Sequence, residues 1–385
     1  MGKSGKKSKA FQRQRGVPRG DGSDVLPSSA YDLSGDQQER GDGADGEAEG
    51  EDSNGGGGAD VVENETSVGA LSKFDLYQQS VQRPKGDISY LQKFFLIYVG
   101  GRRPLYLQED FCGTGFLSSE WLHSDPRRTA VGLDLDLEAL YWCLENNISK
   151  IGCDGYPRIS LFHGNVLHPH KAHLVKPKVH DPIGVVDLRF QKDFIESSQS
   201  TIGAASNVQA CSTMEEASLP PRDIICAFNY SCCCLQQRED LVRYFKHALS
   251  ALSKMGGIFV MDLYGGISSE RKLRLQRKFP NFTYIWEQGE FDIISRRTRI
   301  SLHFHLGKRW KFRHAFSYDW RLWTLPEIKD CLQEAGFQSI HFWIRKMPNI
   351  DEGEHWEEPD AKYEESSSFM QQDAWNAYAV AVANL

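Results

Sequence analysis

Two adjacent carboxylates, Glu109 and Asp110, stand just before a turn of small residues, Cys112-Gly113-Thr114-Gly115. A third acidic residue, Asp134, follows about 20 positions later. Glycines at such a turn let the backbone approach a bound ligand, with a helix N-terminus behind it. An acidic residue at the end of the next strand is the usual partner of ribose hydroxyls. The chemistry predicted is therefore nucleoside binding. A dinucleotide fits poorly, because Ser118 stands where a third glycine belongs and the paired carboxylates would repel a pyrophosphate. They suit a ligand that carries an ammonium and a sulfonium, which describes S-adenosylmethionine.

Those residues need elements to hold them. Leu105 to Leu107 is the apolar entry of a buried parallel strand, a helix follows the glycine turn, and Ala130 to Leu133 is a second strand ending on Asp134. Asp136 can cap a helix over 137–151, whose Leu140, Cys143, Leu144 and Ile148 fall on one stripe. Ile159 to Phe162 reads as a third strand, 223–228 as a fourth, a helix over 236–254 follows, and Ile258 to Met261 is the fifth strand. Ahead of them all, 71–98 has helical spacing broken at Pro84, so Tyr77 and Gln79 are candidate lid contacts. From 282 to 318 the period becomes two, with Ile300, Leu302, Phe304 and Leu306 on one face and a hairpin turn at Gly307. This predicts an antiparallel insertion after strand 5. Its Arg296, Arg297, Arg299, Lys308, Arg309, Lys311 and Arg313, with Trp310 and Phe312, are a local basic and aromatic excess. Thr324, Pro326 and Glu327 open a further helix that ends at Gly336.

The segment Glu109-Asp110-Phe111-Cys112-Gly113-Thr114-Gly115 resembles motif I of the class I methyltransferases, acidic-x-G-x-G-x-G, with Phe111 in place of the first glycine. The ending Ala335-Gly336-Phe337 before 339–344, and the apolar run 374–383, resemble the family's last helix and its sixth and antiparallel seventh strands. The resemblance covers most of 74–385. It implies an α/β fold with a seven-stranded, mostly parallel sheet, an antiparallel last strand and helices on both faces. It further implies S-adenosylmethionine as cofactor, with Glu109 on the ammonium, Phe111 shaping the approach to the methionine end, and Gly113 and Gly115 giving close backbone approach. Asp134 would hold the ribose, and Asn165, where the family usually has an acidic residue, the adenine. Ligands of such folds sit at the C-terminal strand ends, so Asn229 and Tyr230 should face the transferring methyl group. Tyr230, Asp262, Tyr264 and Arg321 are the expected acceptor-positioning residues, beside Trp320 and Trp323.

Composition sets the outer limits. With 385 residues and 40% apolar content there is room for one large domain plus appendages. The net charge of −7 argues against a globally basic, nucleic-acid-binding surface. Nine cysteines show neither metal-type spacing nor a disulfide framework, and Cys143, Cys226 and Cys331 read as buried. His163, His168, His170 and His173 have no carboxylate or cysteine in register, so no metal site is expected. Residues 1–70, basic then acidic and glycine-rich, lack the apolar content to fold and read as a disordered tail before a methyltransferase domain over 71–385. The stretch 169–222 reads as a flexible inserted loop, and 349–368 as an acidic one. Neither a membrane span nor an apolar leader is visible, which predicts a cytoplasmic or nuclear protein. The acceptor expected is a small molecule with an acidic or polar group. RNA or protein is the alternative, and a silent interaction module of the same fold a further one.

Overall fold

Proline 84 divides the first ordered stretch into two helices. α1 (Lys73–Val81) is closed by a capping box between Ser72 and Asp75, and α2 (Pro84–Tyr98) starts on the proline itself, where a missing N–H costs nothing. The computed structural model describes residues 71–175, 213–215, 217–307, 310–347 and 362–383. The expected tail over 1–70, residues 176–212 of the expected loop, Lys308 and Arg309, and residues 349–361 of the acidic loop lie outside the described residues.

After α2 the chain runs through β1 (Tyr106–Asp110), α3 (Phe116–Ser124), β2 (Thr129–Asp134), α4 (Leu137–Asn146), β3 (Ile159–His163) and β4 (His173–Leu174). It continues through β5 (Ile224–Ala227), α5 (Arg238–Ala251) and β6 (Ile258–Gly265). Four strands then form a sheet of their own: β7 (Leu273–Lys278), β8 (Thr283–Gln288), β9 (Arg297–Leu306) and β10 (Trp310–Arg321). The chain returns with α6 (Leu325–Ala335), β11 (Ser339–Lys346), β12 (Glu364–Glu365) and β13 (Trp375–Val382).

The main sheet has the order β12-β11-β13-β6-β5-β1-β2-β3-β4. β3, β2, β1, β5 and β6 are parallel, and β13 runs antiparallel between β6 and β11. The seven strands expected are therefore present with their antiparallel member. Two-residue strands at each margin, β4 and β12, raise the count to nine. The strand order reverses at β1, whose neighbours are β2 and β5, and in such sheets ligands bind in the crevice outside the C-terminal strand ends at this reversal.

Both faces of the sheet are buried, as its near-continuous apolar strands require. On one face Phe94 and Phe95 of α2, Trp121 of α3 and Leu140 of α4 pack over Leu107, Ala130 and Ile224. On the other, Phe245 of α5 and Leu332 of α6 cover Val131, Ile225 and Phe259. The inner side of the β7–β10 sheet, with Trp286, Leu302 and Phe304, joins that second core. The insertion begins at Leu273, before the expected residue 282, because β7 pairs along its whole length with β8. Among the described residues no helix is long and apolar enough to cross a membrane.

Candidate functional site

Strand alternation sends Glu109 and Asp110 to opposite sides of β1. Glu109 is buried, and its Oε2 accepts hydrogen bonds from the Ser118 backbone N–H (2.9 Å) and hydroxyl (2.6 Å), in the first turn of α3. Burial pushes its carboxyl up to about 8, against the opposing pull of those Ser118 bonds. Asp110 turns away. It accepts from Gln108 Nε2 (2.8 Å) and the Tyr244 hydroxyl (2.9 Å), while Arg222 Nε donates to Gln108 Oε1 (2.7 Å). A cavity of about 200 Å³ bordered by Asp110, Arg222, Tyr244 and His247 lies on that side. The expected pair of ligand-facing carboxylates is thus corrected to Glu109 alone.

Phe111 takes φ 56°, the left-handed conformation that a glycine adopts readily, and its ring meets Tyr244 edge-on at 5.7 Å. The turn keeps its shape although the first glycine is missing. The two glycines that follow differ in purpose. A Cβ on Gly113 (φ 50°) would meet nothing within 4 Å, so this residue fronts open space. One on Gly115 (φ 57°) would lie 2.6 Å from Cys143 Sγ, so this glycine lets α4 pack on the turn and does not serve ligand approach as expected. The Gly113 N–H donates to Asp134 Oδ2 (2.6 Å), and the Asp136 N–H to Asp134 Oδ1 (2.8 Å). Asp134 therefore stands at the turn itself, its carboxyl raised by burial. Asn165 Oδ1 accepts from the Leu167 N–H (2.9 Å), so any adenine bond would use the oxygen's remaining lone pair.

Opposite the turn, Asp262 of β6 holds the loop that leaves β5. Its two oxygens accept the backbone N–H groups of Asn229 (2.9 Å) and Tyr230 (2.8 Å). Both residues are left-handed, φ 57° and 59°, and the carboxylate clamp keeps them so. Burial raises Asp262 to about 8. The Asn229 Oδ1 is buried and meets no donor among the described residues.

The acceptor-positioning set needs correction. The Tyr230 hydroxyl donates to Asn376 Oδ1 (3.0 Å) inside the core, and Tyr264 is buried between Tyr230 and Trp286 with its hydroxyl 3.5 Å from Gln288 Oε1. Arg321 bonds Glu327 Oε1 (3.0 Å) and the Gln236 carbonyl (3.1 Å) and lies over the Trp323 ring. Trp323 donates to the Leu235 carbonyl (3.1 Å). These groups shape the wall, and the buried Arg321 Nε meets no acceptor among the described residues.

Burial, then the charges of Asp262, Asp134, Cys234 and Glu109, push the Tyr77 phenol above the ordinary range. Tyr318 is raised by burial and then by Tyr77, Cys234 and Asp134. Of the three consecutive cysteines, Cys232 and Cys233 are buried and Cys234 is exposed. Asp87 of α2, bonded by the Tyr378 hydroxyl (3.1 Å), adds its charge to both Glu109 and Asp262. Asp87 had only its place in the helix before β1 to mark it. α1 is bonded to the turn, since Gln78 Nε2 donates to the Thr114 hydroxyl (2.8 Å), and from the end of α4 Asn147 Nδ2 donates to the Thr114 carbonyl (2.8 Å). Gln79, the other expected lid contact, is exposed. Tyr77 packs on Phe316 of β10 at 5.0 Å, and Arg277 of β7 bonds the Ser80 carbonyl.

No family model and no curated protein matches the sequence. Among solved structures, a S-adenosylmethionine-dependent methyltransferase from Clostridium acetobutylicum is similar with a TM-score of 0.47 at 13% identity, covering 81% of this chain and 98% of its own. The CcbJ methyltransferase from Streptomyces caelestis gives 0.47 at 12%, covering 79% and 91%. The sugar N-methyltransferase KedS8 from a Streptoalloteichus species gives 0.46 at 13%, covering 86% and 100%. Likenesses this distant assign neither chemistry nor residues, which rest on the geometry of the chain itself.

Proposed function

We propose that the protein is an S-adenosylmethionine-dependent methyltransferase acting on a small molecule. The observation that carries this reading is the open space over Gly113, set between Glu109 and Asp134 where the strand order reverses. The residues present suit the cofactor. Glu109 keeps an oxygen beyond its Ser118 bonds for an ammonium, and Asp134 lies beside the turn at ribose reach. The unpartnered Asn229 Oδ1 fits a donor of the cofactor's methionine end or of the acceptor.

When bound, the cofactor supplies an electrophilic methyl group on a sulfonium. The chain's own contribution is alignment. α1 is bonded to the turn through Gln78 and Thr114, the Asp262 clamp fixes the loop after β5, and Tyr77 of α1 packs on Phe316. Proximity and orientation supply most of the rate in such a transfer. Small molecules are favoured over RNA because the crevice is acidic and Arg321, the cation expected to meet an anion, is held by Glu327.

Calorimetric titration with S-adenosylhomocysteine, against NADH as the competing class, tests the cofactor. Saturable binding of the first alone is expected. Asp134→Ala should weaken it by about tenfold or more, about 1.4 kcal/mol, without changing the melting temperature by much. Unchanged affinity in that variant would remove the ribose assignment.

A further inference from the structure

The charge of the acceptor can be read from the crevice. Four carboxylates from four elements surround it: Asp87 on α2, Glu109 on β1, Asp134 on β2 and Asp262 on β6. The arginines of neighbouring elements already hold protein acceptors: Arg321 through both terminal nitrogens to Glu327 and the Gln236 carbonyl, with only its Nε unmet, Arg222 to Gln108 and the Pro220 carbonyl, Arg277 to the Ser80 carbonyl. S-adenosylmethionine carries an ammonium, a sulfonium and a carboxylate, a single net positive charge. That surround also suits a second positive or hydrogen-donating ligand, which a carboxylate can meet whether it is ionised or protonated. At the end of β5 the Asn229 Oδ1, buried and without a donor, asks for an N–H, and an unmet buried acceptor is costly. The walls are aromatic, with Tyr77 on Phe316 and Tyr318 stacked on Trp320 at 5.4 Å, and such faces attract cations.

We infer that the methyl acceptor is an amine nitrogen, seated between Tyr77 and the loop after β5 with its N–H on Asn229 Oδ1. This rests on the methyltransferase reading above and replaces the acid-bearing acceptor that Arg321 suggested. The amine enters as its ammonium and gives one proton to water. Its lone pair then forms the N–C bond as the C–S bond breaks, and sulfur keeps that pair as a neutral thioether. The product is the methylated ammonium, with no other reactant.

The test uses the full chain saturated with S-adenosylhomocysteine and measures binding of matched probes, phenethylamine against 3-phenylpropionate and cyclohexylamine against cyclohexanecarboxylate. The amines should bind about tenfold tighter or better. Asn229→Gly, which tolerates the left-handed backbone, should weaken the amines by about fivefold to tenfold, and Asn229→Asp should retain or strengthen them. Equal or tighter carboxylate binding, no preference of either sign, or amine affinity indifferent to both variants overturns the inference. Failure of S-adenosylhomocysteine itself to bind is a different result, and it removes the cofactor reading and the amine together.

Discussion

Glu109 and Asp110 are neighbours in the chain and face opposite sides of β1, yet both are buried, and their titration follows. Burial raises Glu109 from 4.5 to about 8, Asp262 from 3.8 to about 8 and Asp110 from 3.8 to about 6. Each keeps its proton in the folded chain over a range where the unfolded chain has lost it. Their contribution is present at low pH and is lost as pH rises toward about 8. The ligand-free protein should therefore melt progressively lower between pH 5 and 8, over roughly the window of these shifts. Glu109→Gln should flatten that slope; an unchanged slope would show that Glu109 is not raised. Asp134 is raised by burial in the same direction, and the charges of Asp87 and Asp134 both push Glu109 up. A cationic ligand reverses the preference, so affinity for S-adenosylmethionine should climb with pH more steeply than affinity for S-adenosylhomocysteine, which lacks the sulfonium. The two glycines separate in the same way. Gly115→Ala should cost about 2 kcal/mol or more of stability, from the clash with Cys143 added to a left-handed backbone. Gly113→Ala should cost about 1 kcal/mol and show its main effect on cofactor titration. Much of this site was legible: the acidic residues, the glycine turn and Asp134 are local features. The direction of a hydroxyl was not. Tyr230 finds Asn376 across 146 positions and Arg321 finds Gln236 across 85, and no spacing rule reaches that far.

At the scale of elements, α1 joins parts of the molecule that sequence reading kept apart. Its N-terminal end bonds Glu138 through Lys73 (2.8 Å), its middle bonds Thr114, and its far side meets β7 and β10. The Gln78–Thr114 bond is buried, so Gln78→Ala should cost about 1 kcal/mol and speed hydrogen exchange in α1 before the rest of the domain. Exchange that stays unchanged in α1 would mean the helix is held by its aromatic contacts alone. The helices were readable from Pro84 and the capping residues because caps are local. β7 was not, since Leu273–Lys278 alternates with charged residues and shows itself only by pairing with β8. Likewise α4 stops at Asn146, short of the expected residue 151. Asn147 spends its amide on the Thr114 carbonyl, and a short 3₁₀ turn, Ile148–Ile151, replaces the last helical turn.

For the molecule as a whole, the acidic crevice and the basic start of the sequence make opposite demands on a substrate, and deletion separates them. Removing residues 1–70 should leave methyl transfer to a small amine intact and nearly independent of salt. Activity that needs those residues and falls steeply with salt would favour RNA and sink the small-molecule reading. The parallel strand order follows from the resemblance in motif I and the C-terminal end, whereas the marginal strands β4 and β12, two residues each, were too short to leave a pattern. One feature reaches into the time course of turnover. α1 is fastened to the glycine turn through Thr114 and to the inserted sheet through Phe316, so it cannot swing off one ligand's site without loosening the other's. Arrival and departure of the two ligands should share a single gate. Opening of such a gate can limit turnover, so a rapid first turnover should precede a slower steady rate whose level rises in Gln78→Ala.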